Sequence, residues 1–139
     1  MTSVVLDASA AVALLLVAGS PGDWVAGQLN GRHVAAPELL MYETANVLRR
    51  HGVRGAISPA EASLAHADLC ALGVELWPYS VVSARVWELR ANLTVYDASY
   101  VAVAERLGAE LITLDARLAG ATGLRCAVLT PPGAGAARP

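Results

Sequence analysis

Two apolar runs in this chain end in an aspartate: Val4-Val5-Leu6-Asp7 near one end and Leu111-Ile112-Thr113-Leu114-Asp115 near the other. An acid placed straight after a buried-type strand stands where open α/β sheets present their ligand sites, at the carboxyl ends of the strands. A third aspartate, Asp97, sits at a helix start and shares its inward stripe with Val101 and Ala104, at i+4 and i+7. Glu43 has Leu39 at i−4 and Val47 at i+4, so it too projects from an inward helical stripe. An ionised carboxylate on an apolar face is costly unless it is paired, hydrogen-bonded or bound to a cation. Converging carboxylates repel one another and raise each other's pKa values. A divalent cation relieves that repulsion, and ligation by oxygen alone favours Mg2+ or Mn2+ over zinc.

Each acid also has an ordinary local duty open to it. Asp97 fits the third position of a capping box with Thr94, and Asp115 fits an N-cap for a turn over 116–119. Asp7 can cap the helix that follows the first strand, and Glu43 can pair with an arginine such as Arg50. Any one of these duties is commonplace. Four of them gathered at one sheet edge is not, and the shared carboxylate site is the better reading.

The elements that must position these acids follow from the apolar pattern. Residues 3–6 read as a strand buried on both faces, because nothing polar alternates within it. Helices are expected over 9–17, from Ser20 as N-cap with Pro21 in the first helical position to about Asn30, and from Glu38 after Pro37 to about His51, stopped by Gly52. Ser58-Pro59-Ala60-Glu61 is a capping box opening a helix that ends near Gly73. Further helices are expected over about 80–91 and from Thr94 to Leu107, the latter stopped by Gly108. Strands are expected at 34–36, 74–77, 111–114 and 126–129. Alternating strands and helices predict an α/β sandwich around a mainly parallel sheet of about 4–5 strands. Residues 1–130 form one domain on this reading, and 131–139 a Pro/Gly/Ala surface tail.

Composition narrows the classes. A chain of 139 residues has single-domain size, and 55% hydrophobic residues leave little room for disorder. The net charge of −2 gives no basic footprint for nucleic acid at whole-chain level. All 10 basic residues are arginine, with no lysine. Cys70 and Cys126 offer neither zinc spacing nor a disulfide framework and are expected to be buried thiols. The apolar run Ala10–Ala18 has no preceding Arg or Lys, is interrupted upstream by Asp7, and is too short to span a bilayer. A cytoplasmic location is therefore expected, with no membrane partner.

The ordered set of segments is specific. Strand-Asp7-Ala8-Ser9, then Pro37 to Leu48 with Glu43 and Asn46, then Tyr96-Asp97-Ala98-Ser99-Tyr100 to Ala104, then Thr113-Leu114-Asp115-Ala116-Arg117-Leu118 together resemble a PIN-domain ribonuclease of the VapC toxin type. The resemblance covers essentially everything but the tail. It implies a three-layer α/β/α sandwich in which Asp7, Glu43, Asp97 and Asp115 bind Mg2+, or Mn2+ in its place, in a shallow cleft. It implies supporting roles for Ser9, Asn46 and Thr113. It also implies metal-assisted hydrolysis of RNA phosphodiester bonds, a homodimer, and inhibition by a cognate antitoxin protein.

Guanidinium groups match phosphate in two-point geometry, so arginines are the available RNA clamps. Arg49, Arg50 and Arg54 cluster at the end of the Glu43 helix and are the candidate phosphate contacts, although late-helix arginines also oppose the helix dipole. Arg85 and Arg90 fall on a solvent face, and His33, His51 and His66 have no ligand-like spacing. Trp24, Trp77, Trp87 and the four tyrosines read as core or subunit interface rather than as a stacking platform. Two other readings compete. A carboxylate-based phosphatase or phosphoacceptor resembling the receiver or haloacid-dehalogenase types calls for a lysine, and the latter for a second Asp where Ser9 stands. A non-catalytic interaction module with an acidic metal-binding pocket leaves the complete acidic quartet unexplained. Gly133 to Ala136 opens no helix and is not a dinucleotide fingerprint.

Overall fold

The computed structural model describes residues 2–16 and 19–133. Its elements run β1 (Ser3–Leu6), α1 (Ala8–Leu16), α2 (Ser20–Leu29), β2 (His33–Pro37), α3 (Leu39–Val53), α4 (Pro59–Cys70), β3 (Glu75–Trp77), α5 (Tyr79–Glu88), α6 (Val95–Leu107), β4 (Glu110–Ile112), α7 (Ala116–Ala119) and β5 (Val128–Leu129). The last residue expected in the first helix, Val17, and positions 134–139 of the expected tail lie outside the described residues.

All five strands are parallel, in the order β3-β2-β1-β4-β5. Val5 is in register with Ala35 on one side and Leu111 on the other. The chain builds outward from β1 through β2 to β3, then returns across the sheet to lay β4 against the other side of β1. The strand order therefore reverses between β1 and β4, and the crevice beyond their carboxyl ends is the expected ligand position in an open parallel sheet. Asp7 follows β1 directly, and Thr113 to Asp115 follow β4.

Val4, Val5, Leu6, Leu111 and Ile112 are fully buried, as strands covered on both faces require. Helices flank the sheet in an α/β/α arrangement. Helix α6 packs across β1, β2 and β4, with α5 against it, and α1 packs with α2, α3 and α4. Residues 98–104 of α6 are buried without a break, so this helix is a core element that carries Asp97 at its exposed end.

Several boundaries differ from those expected. Gly19, with φ 100°, is the N-cap of α2, and Ser20 is its first residue with no side-chain cap bond. Pro37 closes β2 instead of opening α3. Gly52 does not stop α3, which runs to Val53 before Gly55 takes φ +74°. A glycine costs only about 1 kcal/mol inside a helix, and Gly52 lies against α4, where an added Cβ would come within 3.4 Å of the Ala62 Cβ. The Ser58–Glu61 capping box is present in both directions, and Gly108 ends α6 in the left-handed conformation. Cys70 is exposed rather than buried, whereas Cys126 is half-buried, and burial pushes its thiol up to about 11. Arg85 is not a solvent-face residue. Its guanidinium pairs with Glu105 of α6 at 2.6 and 3.2 Å and ties α5 to α6.

Candidate active site

Asp7 sits at the floor of the switch-point crevice, 7% exposed. Its Oδ1 accepts from the Ser9 hydroxyl at 2.7 Å and from the Ala10 N–H at 3.0 Å, and its Oδ2 accepts from the Thr113 hydroxyl. The two hydroxyls also receive bonds: Ser9 Oγ from the Leu114 N–H and Thr113 Oγ1 from the Asp115 N–H, both at 3.0 Å. Each hydroxyl has one proton, and each spends it on Asp7. Ser9 and Thr113 thus fasten the segment after β4 to the acid after β1. Burial raises the Asp7 carboxyl above its ordinary range, the three hydrogen bonds hold it down in part, and the nearby Asp97 charge raises it further.

Asp97 is placed by the N-terminus of α6. Thr94 caps that helix by accepting from the Asp97 N–H at 3.2 Å. The reciprocal bond from acid side chain to cap backbone that Glu61 makes at Ser58 is not made by Asp97. Burial and then the charge of Asp115 raise the Asp97 carboxyl, with Arg117 and Thr94 acting the other way. Asp115 caps the short α7 by accepting from the Arg117 N–H at 3.0 Å, and the Arg117 guanidinium grips it at 3.1 and 2.9 Å.

Glu43 comes from α3. One of its oxygens, Oε1, accepts from the Tyr100 hydroxyl at 2.6 Å, a partner other than the arginine that local spacing offered as an alternative. Tyr100 is 2% exposed, and burial drives its phenol far above the ordinary range, with the Glu43, Asp7 and Asp97 charges all adding in the same direction. A buried hydroxyl among three carboxylates is thus a permanent donor.

The structure therefore gathers Asp7, Asp97, Asp115, Ser9 and Thr113 directly, and connects Glu43 to them through Tyr100. Asn46 is not part of this network: it is exposed, and its Oδ1 accepts from Arg49 Nε at 3.1 Å. Arg49, Arg50 and Arg54 are exposed on and just after the last turns of α3. Sequence reasoning overlooked Tyr100 and Arg117. For Tyr100 a signal existed, since a tyrosine on the inward stripe of a helix needs a partner for its polar tip. For Arg117 the two-residue spacing from Asp115 was the only cue.

The chemistry of the donor set suits a hard cation. Every candidate ligand atom is a carboxylate oxygen, and the charges disfavour one another across Asp7–Asp97 and Asp97–Asp115. Asp7 accepts three bonds of the roughly four its two oxygens can take, which leaves it acceptor capacity. As the side chains stand, no group of three His, Cys, Asp or Glu among the described residues is arranged to hold an ion. One Glu43 oxygen faces Tyr100 and both Asp115 oxygens face Arg117.

Comparison with known proteins agrees with this geometry. The PIN domain profile matches residues 4–124. Ribonuclease VapC12 of Mycobacterium tuberculosis is 42% identical over 120 residues, covering 86% of this chain and 92% of that protein. Ribonuclease VapC9 of the same species is 37% identical over 129 residues, covering 93% and 98%. Among solved structures, PAE2754 from Pyrobaculum aerophilum superposes with a TM-score of 0.64 at 26% identity, over 91% of this chain and 83% of that one. With the profile spanning nearly the whole described fold and the relatives matched end to end, the chain belongs to the PIN-domain family, among its VapC-type ribonucleases.

Proposed function

We propose that the protein is a Mg2+-dependent endoribonuclease, the toxin of a toxin–antitoxin pair, that hydrolyses RNA phosphodiester bonds at the crevice beyond β1 and β4. The observation that carries this reading is the meeting of Asp7, Asp97 and Asp115 at the sheet's switch point, each pair of neighbours raising the cost of the other's charge. Asp7, Glu43, Asp97 and Asp115 would hold the ion, Mg2+ or Mn2+ in its place. When bound, such an ion polarises the scissile phosphate and lowers the pKa of its water. Ser9 and Thr113 keep the Asp7 carboxylate oriented, so that its remaining acceptor capacity faces the crevice and not the core. No side-chain nucleophile is required of the chain.

Arg49, Arg50 and Arg54 are exposed and would meet the phosphates of a strand that crosses the end of α3, with Arg49 held in place by Asn46. The same reading includes a homodimer and a protein antitoxin. An apolar face supports the dimer: Tyr42, Tyr79, Val95 and Tyr96 are exposed around one groove that also reaches Trp77, and Tyr42 and Tyr96 adjoin Glu43 and Asp97 in sequence. Isolated exposed apolar residues need no explanation, but a contiguous group around a groove marks an interaction site. No single helix among the described residues is long and apolar enough to cross a membrane, and we place the protein in the cytoplasm with its RNA substrate.

The test is cleavage of RNA by the purified protein with Mg2+ or Mn2+, against EDTA and against Asp7→Asn. Cleavage should vanish in EDTA and fall by a factor on the order of 10^3 in the variant, as expected when a charge-stabilising group is removed from a reaction centre. Cleavage that persists in EDTA, or is undiminished in Asp7→Asn, would overturn the reading.

A further inference from the structure

We infer that Tyr100 is a positioning residue of the acidic site: its hydroxyl fixes the Glu43 carboxylate by binding one oxygen, Oε1, and thereby aims the other at the ion. This rests on the proposed metal-dependent function and extends it to a residue outside the acidic quartet.

The geometry has three parts. The bond is short, 2.6 Å, and joins residues 57 apart in sequence, one on α3 and one on α6. Helix α3 packs chiefly on α1 and α4, and α6 on α5 and the sheet. The Tyr100–Glu43 bond therefore links two helices that belong to different packing groups. Second, the two side chains are unequal in freedom. Tyr100 is 2% exposed and its ring is part of the hydrophobic core, whereas Glu43 is only partly buried on a helix face. A glutamate has three side-chain torsions to fix, and the locked phenol supplies the reference point. Third, a tyrosine hydroxyl donates one proton to one acceptor, so it can occupy one oxygen without neutralising the carboxylate. Lysine or arginine at the same place would cancel the charge that the ion needs.

Partners of this kind behind a metal ligand typically change metal affinity by about 10–100-fold when removed. The experiment is a Mn2+ titration, by calorimetry or electron paramagnetic resonance, of EDTA-stripped wild type, Tyr100→Phe, Glu43→Gln and the double variant. Tyr100→Phe keeps the ring and should bind Mn2+ about tenfold more weakly, whereas the same change in the Glu43→Gln background should add less than about twofold, because coupled residues are not additive. Binding by Tyr100→Phe equal to wild type, or equal weakening in both backgrounds, would overturn the positioning role. If wild type itself bound no Mn2+, this inference and the metal reading would fall together; wild-type binding with an indifferent Tyr100 would remove only the former. A measurement that leaves Tyr100 in place guards against a misfolded variant. The near-ultraviolet difference spectrum between wild type and Glu43→Gln should contain a tyrosine band, and its absence would count against the bond.

Discussion

The two sides of the crevice hold their carboxylates by different means. On the sheet side, Asp7 leaves the end of a fully buried strand and is held by three hydrogen bonds, two of them from hydroxyls that are bonded in turn to the backbone after β4. On the helix side, Glu43, Asp97 and Asp115 project from a helix face or a helix start and are half-buried, with Tyr100, Thr94 and Arg117 among their neighbouring side-chain partners. The contrast separates a carboxylate whose orientation is built into the sheet from carboxylates set by partners on helices, of which Glu43 is held by the buried Tyr100 hydroxyl. Under the proposed function, Asp7 would be the ligand whose place is set by the sheet itself, and the other three acids would be ligands placed by helices.

The largest expected effect lies on the fixed side. Thr113 is fully buried, and its hydroxyl serves Asp7 and the Asp115 N–H at once. Thr113→Val keeps the shape and removes both bonds, leaving a buried carboxylate oxygen and a backbone donor without them. The expected loss is about 2–3 kcal/mol of stability, the cost of stranding buried polar groups, read as a lower urea midpoint at unchanged slope. Cleavage should fall as well, since Asp7 loses its orientation. A variant as stable as wild type would mean that the fixed side is no more rigid than the helix side.

How much of this contrast was legible beforehand follows from the range of the interactions. The strand-then-aspartate pattern located Asp7 and Asp115, and hydroxyl-to-acid spacing located the caps at Ser58 and Thr94, because those signals act within a few residues. The Asp7–Thr113 bond spans 106 positions and Tyr100–Glu43 spans 57, and no local period encodes such a pairing. Arg85 was misplaced for the same reason: its partner Glu105 lies 20 residues away, on the next helix. Gly52 was read as a stop because isolated glycines often are. The helix instead runs on to Val53 while α3 packs against α4, and that packing is a tertiary matter. At Gly19 and Ser20 the local chemistry suited either residue as cap, and the positive φ of Gly19 decided it.

A smaller effect tests whether the site is strained without its ion. Asp7 and Asp97 both have carboxyls raised in the folded state, chiefly by burial. The folded protein therefore keeps these protons to higher pH than the unfolded chain does. From about pH 4 upward, through the raised folded values, the stability of the EDTA-treated protein should fall as pH rises, and the deficit should persist at neutrality. The positive end of α6 favours the Asp97 charge by about 0.3–1 kcal/mol, but burial and Asp115 outweigh it. Asp97→Asn should accordingly raise the thermal midpoint of the ion-free protein at pH 7 by about 2 °C and flatten its decline with pH. Mg2+ should then stabilise wild type more than the variant. A fall in the ion-free midpoint would show that Asp97 is chiefly a structural residue of the α6 start.

The smallest effect concerns Arg117, whose guanidinium grips Asp115 on the helix side. Its side chain is 88% exposed, and Asp115 is 29% exposed. Exposed ion pairs contribute about 0–1 kcal/mol at most, and the N-cap bond to Asp115 comes from the Arg117 backbone and survives any substitution. Arg117→Gln should therefore leave the urea midpoint at neutral pH essentially unchanged. Its charge nonetheless acts against the rise of the Asp97 carboxyl. Without it, Asp97 should keep its proton to a higher pH, and the falling part of the ion-free stability curve should extend upward in pH. An unchanged curve would mean that Arg117 is too well solvated to influence Asp97. An extended one would show that an exposed guanidinium partly relieves the repulsion on the helix side, whereas Asp7 depends on buried hydrogen bonds.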